Sequence, residues 1–288
     1  MTAPAHLDCA RDASAFCGGI LDPRRLDHPE GIFVDPADGS LWCGGEAGQL
    51  YHISPDGLSI REVARTGGFA LGVTGDSRGR LYLCDLAHRC VFVFDRDGRQ
   101  LARLEGRDGD ETLRLPNSAV LSRDERHLYV SDTRRSSAGG PGIWRFDLAA
   151  GVSTLWMRQP CLSANGLALA PDGSALYLVE SHLPGVSRIP ILADGSAGPK
   201  EIAVMLPHDE PDGLAFDTHG DLFIAIYNPS RIYRWRPATG RLDLVIEDPS
   251  SDWLHHPTNL AFRGPTELFC ANFGAWHLTR IDLSRLTP

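Results

Sequence analysis

The strongest constraint on this chain is a sixfold recurrence. A leucine followed by an aromatic residue opens Leu41-Trp42-Cys43, Leu81-Tyr82-Leu83, Leu128-Tyr129-Val130, Leu176-Tyr177-Leu178, Leu222-Phe223-Ile224 and Leu268-Phe269-Cys270. Each run follows a polar turn such as Pro171-Asp172-Gly173, and a second apolar run such as Ile32-Phe33-Val34 or Leu214-Ala215-Phe216 lies just upstream. The unit reads as strand, tight turn, strand, then two weaker strands. Aligning the units puts Glu30, Leu71, Asn117, Asn165, Asp212 and Asn259 at one equivalent position, with separations of 41, 46, 48, 47 and 47 residues. A repeat of that length built from four short strands is a propeller blade. The expected fold is therefore all-β, a single six-bladed β-propeller domain over residues 1–288 with four-stranded blades around a central channel. Only 29 residues follow Asn259, so the segment before His28 is expected to supply the last blade's missing strand. The N- and C-terminal strands then close the ring and hide its sheet edges.

Composition narrows the field. Thirty glycines and 20 prolines interrupt nearly every helix-length window, which excludes a parallel α/β fold with crossover helices. A net charge of −9 with scattered cations disfavours nucleic acid. Lys200 is the only lysine, and its surroundings lack the Gly-Lys-Ser/Thr of a phosphate loop, so Schiff-base and Walker-type chemistry have one poor candidate. No run of 18 apolar residues and no secretory leader are found, and the seven dispersed cysteines lack C-x-x-C spacing. These features lead to the expectation of a cytoplasmic protein with reduced thiols and no membrane contact. Gly75-Asp76-Ser77-Arg78-Gly79 matches a serine-nucleophile elbow formally, but it coincides with the turn before Leu81 and is read as a turn.

The repeated position has chemical meaning. In a propeller the first strand of every blade runs beside the channel, so equivalent residues converge on the axis. Around the ring they are Glu, Leu, Asn, Asn, Asp and Asn, five of six with side-chain oxygens. A packing position would hold a similar residue each time, as the Leu–aromatic pair does. Converging oxygens suit a hard cation, Ca²⁺ above all. Proline precedes and a small residue follows in Pro29-Glu30-Gly31, Pro116-Asn117-Ser118 and Pro211-Asp212-Gly213, which restricts the backbone and leaves room for close approach.

The stretches His28-Pro29-Glu30-Gly31, Pro116-Asn117-Ser118, Ala164-Asn165-Gly166-Leu167-Ala168-Leu169-Ala170-Pro171-Asp172-Gly173 and Glu210-Pro211-Asp212-Gly213-Leu214 resemble the gluconolactonase/regucalcin (senescence marker protein) family of six-bladed propellers. The likeness spans roughly residues 28 to 285. It implies one divalent metal, Ca²⁺ first with Zn²⁺, Mn²⁺ or Mg²⁺ as alternatives, held at the positions of Glu30, Asn165 and Asp212. It also implies Asn117 beside metal and substrate, hydrolysis of a lactone, and a water-activating role for Asp212 besides its role as ligand. Sugar-lactone members often carry arginine where this chain has Leu115, and bacterial gluconolactonases often carry Asp where it has Ser118; both departures point to a less polar substrate.

The expected chemistry is metal-assisted opening of a lactone or related ester, with the carbonyl polarised and water activated. Asp212 and Asn117 are the catalytic candidates, and His255, His256 and Asn259 join Asn117 as substrate candidates, with His208 behind them. Asp85, Asp132, Glu180, Asn228 and Asn272, which follow the second strands, are further lining candidates, and Trp253 and Trp276 candidate apolar walls. The alternatives are calcium-dependent esterase or phosphotriesterase-like chemistry on the same propeller, or a non-catalytic metal-binding scaffold.

Overall fold

The computed structural model describes residues 6–19, 21–134 and 139–286. Six four-stranded antiparallel sheets stand around a central axis. Blade 1 runs Ile32–Val34, Leu41–Gly44, Gln49–Ile53 and Ile60–Arg65, and blade 2 Ala70–Gly75, Leu81–Asp85, Cys90–Phe94 and Gln100–Leu104. Blade 3 runs Pro116–Leu121, His127–Asp132, Gly140–Asp147 and Val152–Cys161, and blade 4 Ala164–Leu169, Ala175–Glu180, Gly185–Pro190 and Glu201–Met205. Blade 5 runs Glu210–Phe216, Leu222–Asn228, Arg231–Arg236 and Arg241–Glu247. Blade 6 takes Pro257–Arg263, Glu267–Asn272 and His277–Asp282 from the end of the chain and Ala13–Gly18 from its start. Ala13 pairs with Ile281 and Gly18 with His277, so the ring is closed as the strand count required. No helix among the described residues is long and apolar enough to cross a membrane.

The Leu–aromatic dipeptide builds the ring. All six leucines and all six aromatics are at most 5% exposed, because a second strand has a neighbouring blade on each face. Adjacent side chains on a strand point to opposite faces. Each interblade cluster accordingly takes the aromatic of one blade and the leucine of the next: Trp42 with Leu81, Tyr82 with Leu128, Tyr129 with Leu176, Tyr177 with Leu222, Phe223 with Leu268, and Phe269 with Leu41. Every such side chain contributes about 1.5–3 kcal/mol by leaving water. All seven cysteines are unpaired and six are buried; burial pushes the Cys17 thiol up to about 12. Lys200 closes an ion pair with the fully buried Glu180 at 2.8 Å and donates to the Pro160 carbonyl at 2.8 Å, a structural post rather than a free amine. Ser77 donates its hydroxyl and its amide to the Glu125 carboxylate, so the elbow-like motif is a turn.

Candidate active site in the central cavity

The first strands of blades 2 to 6 all deform at the same point. In blade 3 the Pro116↔Asp132 pair is followed by Ala119↔Val130, which leaves one extra residue on the first strand. The same bulge separates Ala70 from Val73, Ala164 from Leu167, Pro211 from Leu214 and Pro257 from Leu260. Bulges re-aim side chains out of the alternating pattern, and here they turn one residue per blade toward the axis. Counted from these registers, the axial set is Glu30, Leu71, Asn117, Asn165, Asp212 and Thr258. Thr258 thus replaces Asn259, which the sequence alignment had put there.

Asn259 lies in the next layer, where glycines let the blades touch. A Cβ on Gly31 would sit 2.3 Å from the Leu71 carbonyl oxygen, and one on Gly166 2.2 Å from that of Asp212. At the junction of blades 6 and 1 this contact becomes polar. The Asn259 amide donates to the Glu30 carbonyl at 2.9 Å and the Thr258 hydroxyl to the same oxygen at 2.8 Å. Asn259 is a joint of the ring and does not line the cavity above it.

That cavity has a volume of about 730 Å³, and the six axial residues form its floor. Its wall comes from two further recurring places. One is the position two residues before the axial one, which gives Phe69, Leu115 and Ser163. The other is the end of the second strand, which gives Leu86, Thr133, Ser181, Tyr227 and Phe273. The acids and amides expected there, Asp85, Asp132, Glu180 and Asn272, sit one residue earlier and point into the protein. They hold the loops that enter the first strands, accepting from the amides of Phe69 (3.3 Å), Leu115 (2.9 Å), Leu162 (2.7 Å) and His255 (3.0 Å). Asn228 is exposed.

Four buried oxygens in this cavity have no hydrogen-bond partner: Glu30 Oε2, Asn117 Oδ1, Asn165 Oδ1 and Asp212 Oδ1. Asn165 Nδ2 donates to Ser181 Oγ at 3.2 Å and reaches Asp212 Oδ2 at 3.4 Å, which leaves its Oδ1 free to face the cavity. Desolvation, and then the nearby Asp212 charge, hold the Glu30 carboxyl well above the usual range. Burial pushes Asp212 up to about 7, against the lowering effect of the Asn165 amide. Two carboxylates and two amide oxygens, buried and unsatisfied, fit a hard divalent cation: the donors are all oxygen, and the two negative charges match it.

The histidines stand apart from this set. His255 and His256 do not line the cavity, nor does His208. His256 stacks behind Tyr227 with ring centroids 4.5 Å apart and its Nδ1 3.0 Å from the Tyr227 carbonyl oxygen. Burial and the neighbouring His256 hold His255 below its usual pKa. His182, which no sequence signal singled out, is on the rim. Trp253 and Trp276 do not line the cavity; its aromatic residues are Phe69, Tyr227 and Phe273. A second acidic group joins the loop that leads to Glu30 and the turn after Leu41–Gly44, where Asp27, His28 and Glu46 bring one atom each within 4.8 Å of one another. His28 Nδ1 lies 3.2 Å from both carboxylates, and Gln49 donates to Asp27 at 2.7 Å, so these groups already have partners of their own.

The fold and cavity can now be set beside known proteins. The model of the SMP-30/gluconolactonase/LRE-like region matches residues 139–271. Over that stretch, a little under half of its length, the chain is similar to the gluconolactonase/regucalcin family. Among its relatives, lactonase drp35 of Staphylococcus saprophyticus is 23% identical over 258 residues, covering 84% of this chain and 78% of that protein. Regucalcin of Xenopus laevis is 30% identical over 105 residues, 35% of this chain and 34% of the relative. A gluconolactonase structure from Xanthomonas campestris superposes with a TM-score of 0.76 at 20% identity, covering 95% of this chain and 99% of the other, and so shares its fold.

Proposed function

We propose that the protein is a hydrolase that opens the ring ester of a lactone in the central cavity, with one divalent cation, Ca²⁺ in the first instance, held by Glu30, Asn165 and Asp212 and with Asn117 beside it. The observation that carries this reading is the set of four unpartnered buried oxygens from blades 1, 3, 4 and 5 around one cavity. The lactonase and gluconolactonase relatives support the reaction type. A cation bound there would polarise the ester carbonyl and balance the two acids.

The residues themselves account for the proton. Asp212, with one carboxylate oxygen unpartnered in the cavity, is the base. It takes a proton from water as the water oxygen bonds to the acyl carbon. The acyl carbon–ring oxygen bond then breaks, and the proton passes from Asp212 to the departing alkoxide, giving a hydroxy acid. The Asn165 amide, fixed between Ser181 and Asp212, keeps the carboxylate oriented. Asn117 presents its amide to the carbonyl side of the substrate.

The test is hydrolysis of a lactone panel by chelated protein with Ca²⁺, Zn²⁺ or Mn²⁺ restored, alongside Glu30→Gln. Cation-dependent turnover lost in the variant is the expected result. Cation binding without turnover on any lactone or ester would leave a metal-binding scaffold, and absence of cation binding would remove the axial site.

A further inference from the structure

The cavity is two-sided. Its polar side comes from blades 4 and 5, with Ser163, Ser181 and His182 around Asn165 and Asp212. The lining from blades 2, 3 and 6 is richest in hydrocarbon, with Phe69, Leu71 and Leu86 from blade 2, Leu115 from the loop into blade 3 and Phe273 from blade 6, beside the polar Asn117, Thr133 and Thr258 and with Glu30 of blade 1 among them. We infer that the substrate carries an uncharged alkyl or aryl group, which lies against Phe69, Leu71, Leu86, Leu115 and Phe273 while its lactone ring faces Asn165 and Asp212. This rests on the lactonase reading and specifies its substrate class.

Three features carry it. First, the apolar side is pinned by backbone bonds and does not depend on ligand to form. The Phe69 carbonyl accepts from Leu86 N at 2.9 Å, the Leu115 carbonyl from Thr133 N at 2.9 Å, and Phe273 N donates to the His256 carbonyl at 3.1 Å. The Phe69 and Phe273 rings stand 6.2 Å apart at 39° within the lining. Preformed walls do not lose binding strength to ordering.

Second, among the described residues no lysine or arginine lines the cavity, and its charged groups are Glu30 and Asp212. An anionic substituent would find no cationic side chain to pair with there. Third, a polyhydroxylated lactone would set its hydroxyls against five hydrocarbon side chains and lose their water partners. An alkyl chain in the same place removes apolar surface from water on both sides, worth about fourfold in affinity per buried methylene.

The experiment measures kcat/KM of the Ca²⁺-restored protein along the series from γ-butyrolactone to γ-decalactone, with dihydrocoumarin and D-gluconolactone. The expected result is a rise of roughly 100-fold along the series, as for burial of about three to four of the six added carbons at fourfold each, with D-gluconolactone at or below γ-butyrolactone. Leu115→Arg should flatten the series to within a few-fold. Phe273→Gln, at a half-exposed position, should reduce the slope and provides the reading should the arginine variant fail to fold. A flat series in the native protein, or D-gluconolactone as the best substrate, overturns the substrate class and leaves the lactonase reading standing. Absence of turnover on every lactone removes the lactonase reading instead. Binding of the matching alkyl-pyrrolidinones, followed by calorimetry, then judges the wall: affinity that climbs with chain length upholds the apolar ligand class, and affinity independent of length overturns it.

Discussion

The blade interfaces and the axial ring use the same sixfold symmetry in opposite ways. At the interfaces all six units supply leucine and an aromatic residue, and each pair is buried against the next blade. At the axis all six supply the same backbone position, yet the residues are Glu, Leu, Asn, Asn, Asp and Thr. Packing between equivalent blades poses one problem six times and accepts one answer. The axis poses no such repeated packing problem, and the blades contribute five residue types there, with only asparagine used twice. In a repeat protein, then, the position whose chemistry varies while its backbone does not is the place to look for function.

The comparison can be broken from either side. The largest effect is expected for Asp212→Ala, which should lower lactone kcat/KM by about 10³-fold or more while leaving the melting temperature of the cation-free protein unchanged or raised. Loss of the fold instead would make the axis structural. Leu176→Ala, in the cluster with Tyr129, should cost about 2–5 kcal/mol in urea unfolding, with kcat/KM per folded molecule retained. A loss of activity out of proportion to folding would blur the division between the regions.

The third effect is a pH dependence. Because the folded-state pKa values of Glu30 and Asp212 are raised, the native cation-free protein holds more protons than the unfolded chain between the ordinary carboxylate range and about pH 7. Their contribution to stability is therefore present at low pH and lost as pH rises through that window. Thermal melts of chelated protein should show this fall, Asp212→Asn should reduce it, and a melt that ignores the substitution would contradict the buried-pair account. The smallest effect is expected for Asn259→Ala, about 1 kcal/mol for a hydrogen bond at the blade 6–blade 1 joint, with turnover kept. A larger loss of kcat/KM than of stability would return Asn259 to the site.

Most of the architecture was legible because the Leu–aromatic pair is a packing signal that does not depend on register. The closing role of Ala13–Gly18 followed from counting strands. What the sequence could not show was the bulge. The axial residue stands 10 or 11 residues before each Leu–aromatic pair, and because the turn between them varies in length, Asn259, 9 before its pair, was read where Thr258, 10 before it, stands. A separate slip by one, at the ends of the second strands, put Asp132 and Glu180 in the cavity when their successors, Thr133 and Ser181, line it. The wall residues Phe69 and Phe273 lie outside the strand pattern in loops, whose paths depend on hydrogen bonds to buried acids and carbonyls from other segments.

The four unpartnered oxygens belong to blades 1, 3, 4 and 5, and Glu30 and Asp212 are 182 positions apart along the chain. Anything bound between them is therefore also a crosslink, fastening an early part of the polypeptide to a late one. The entropy of closing so long a loop grows only slowly with its length, but contacts between such distant segments are formed late and set the pace of folding. No half of the molecule holds the site, and occupancy at the axis reports that the whole ring has assembled.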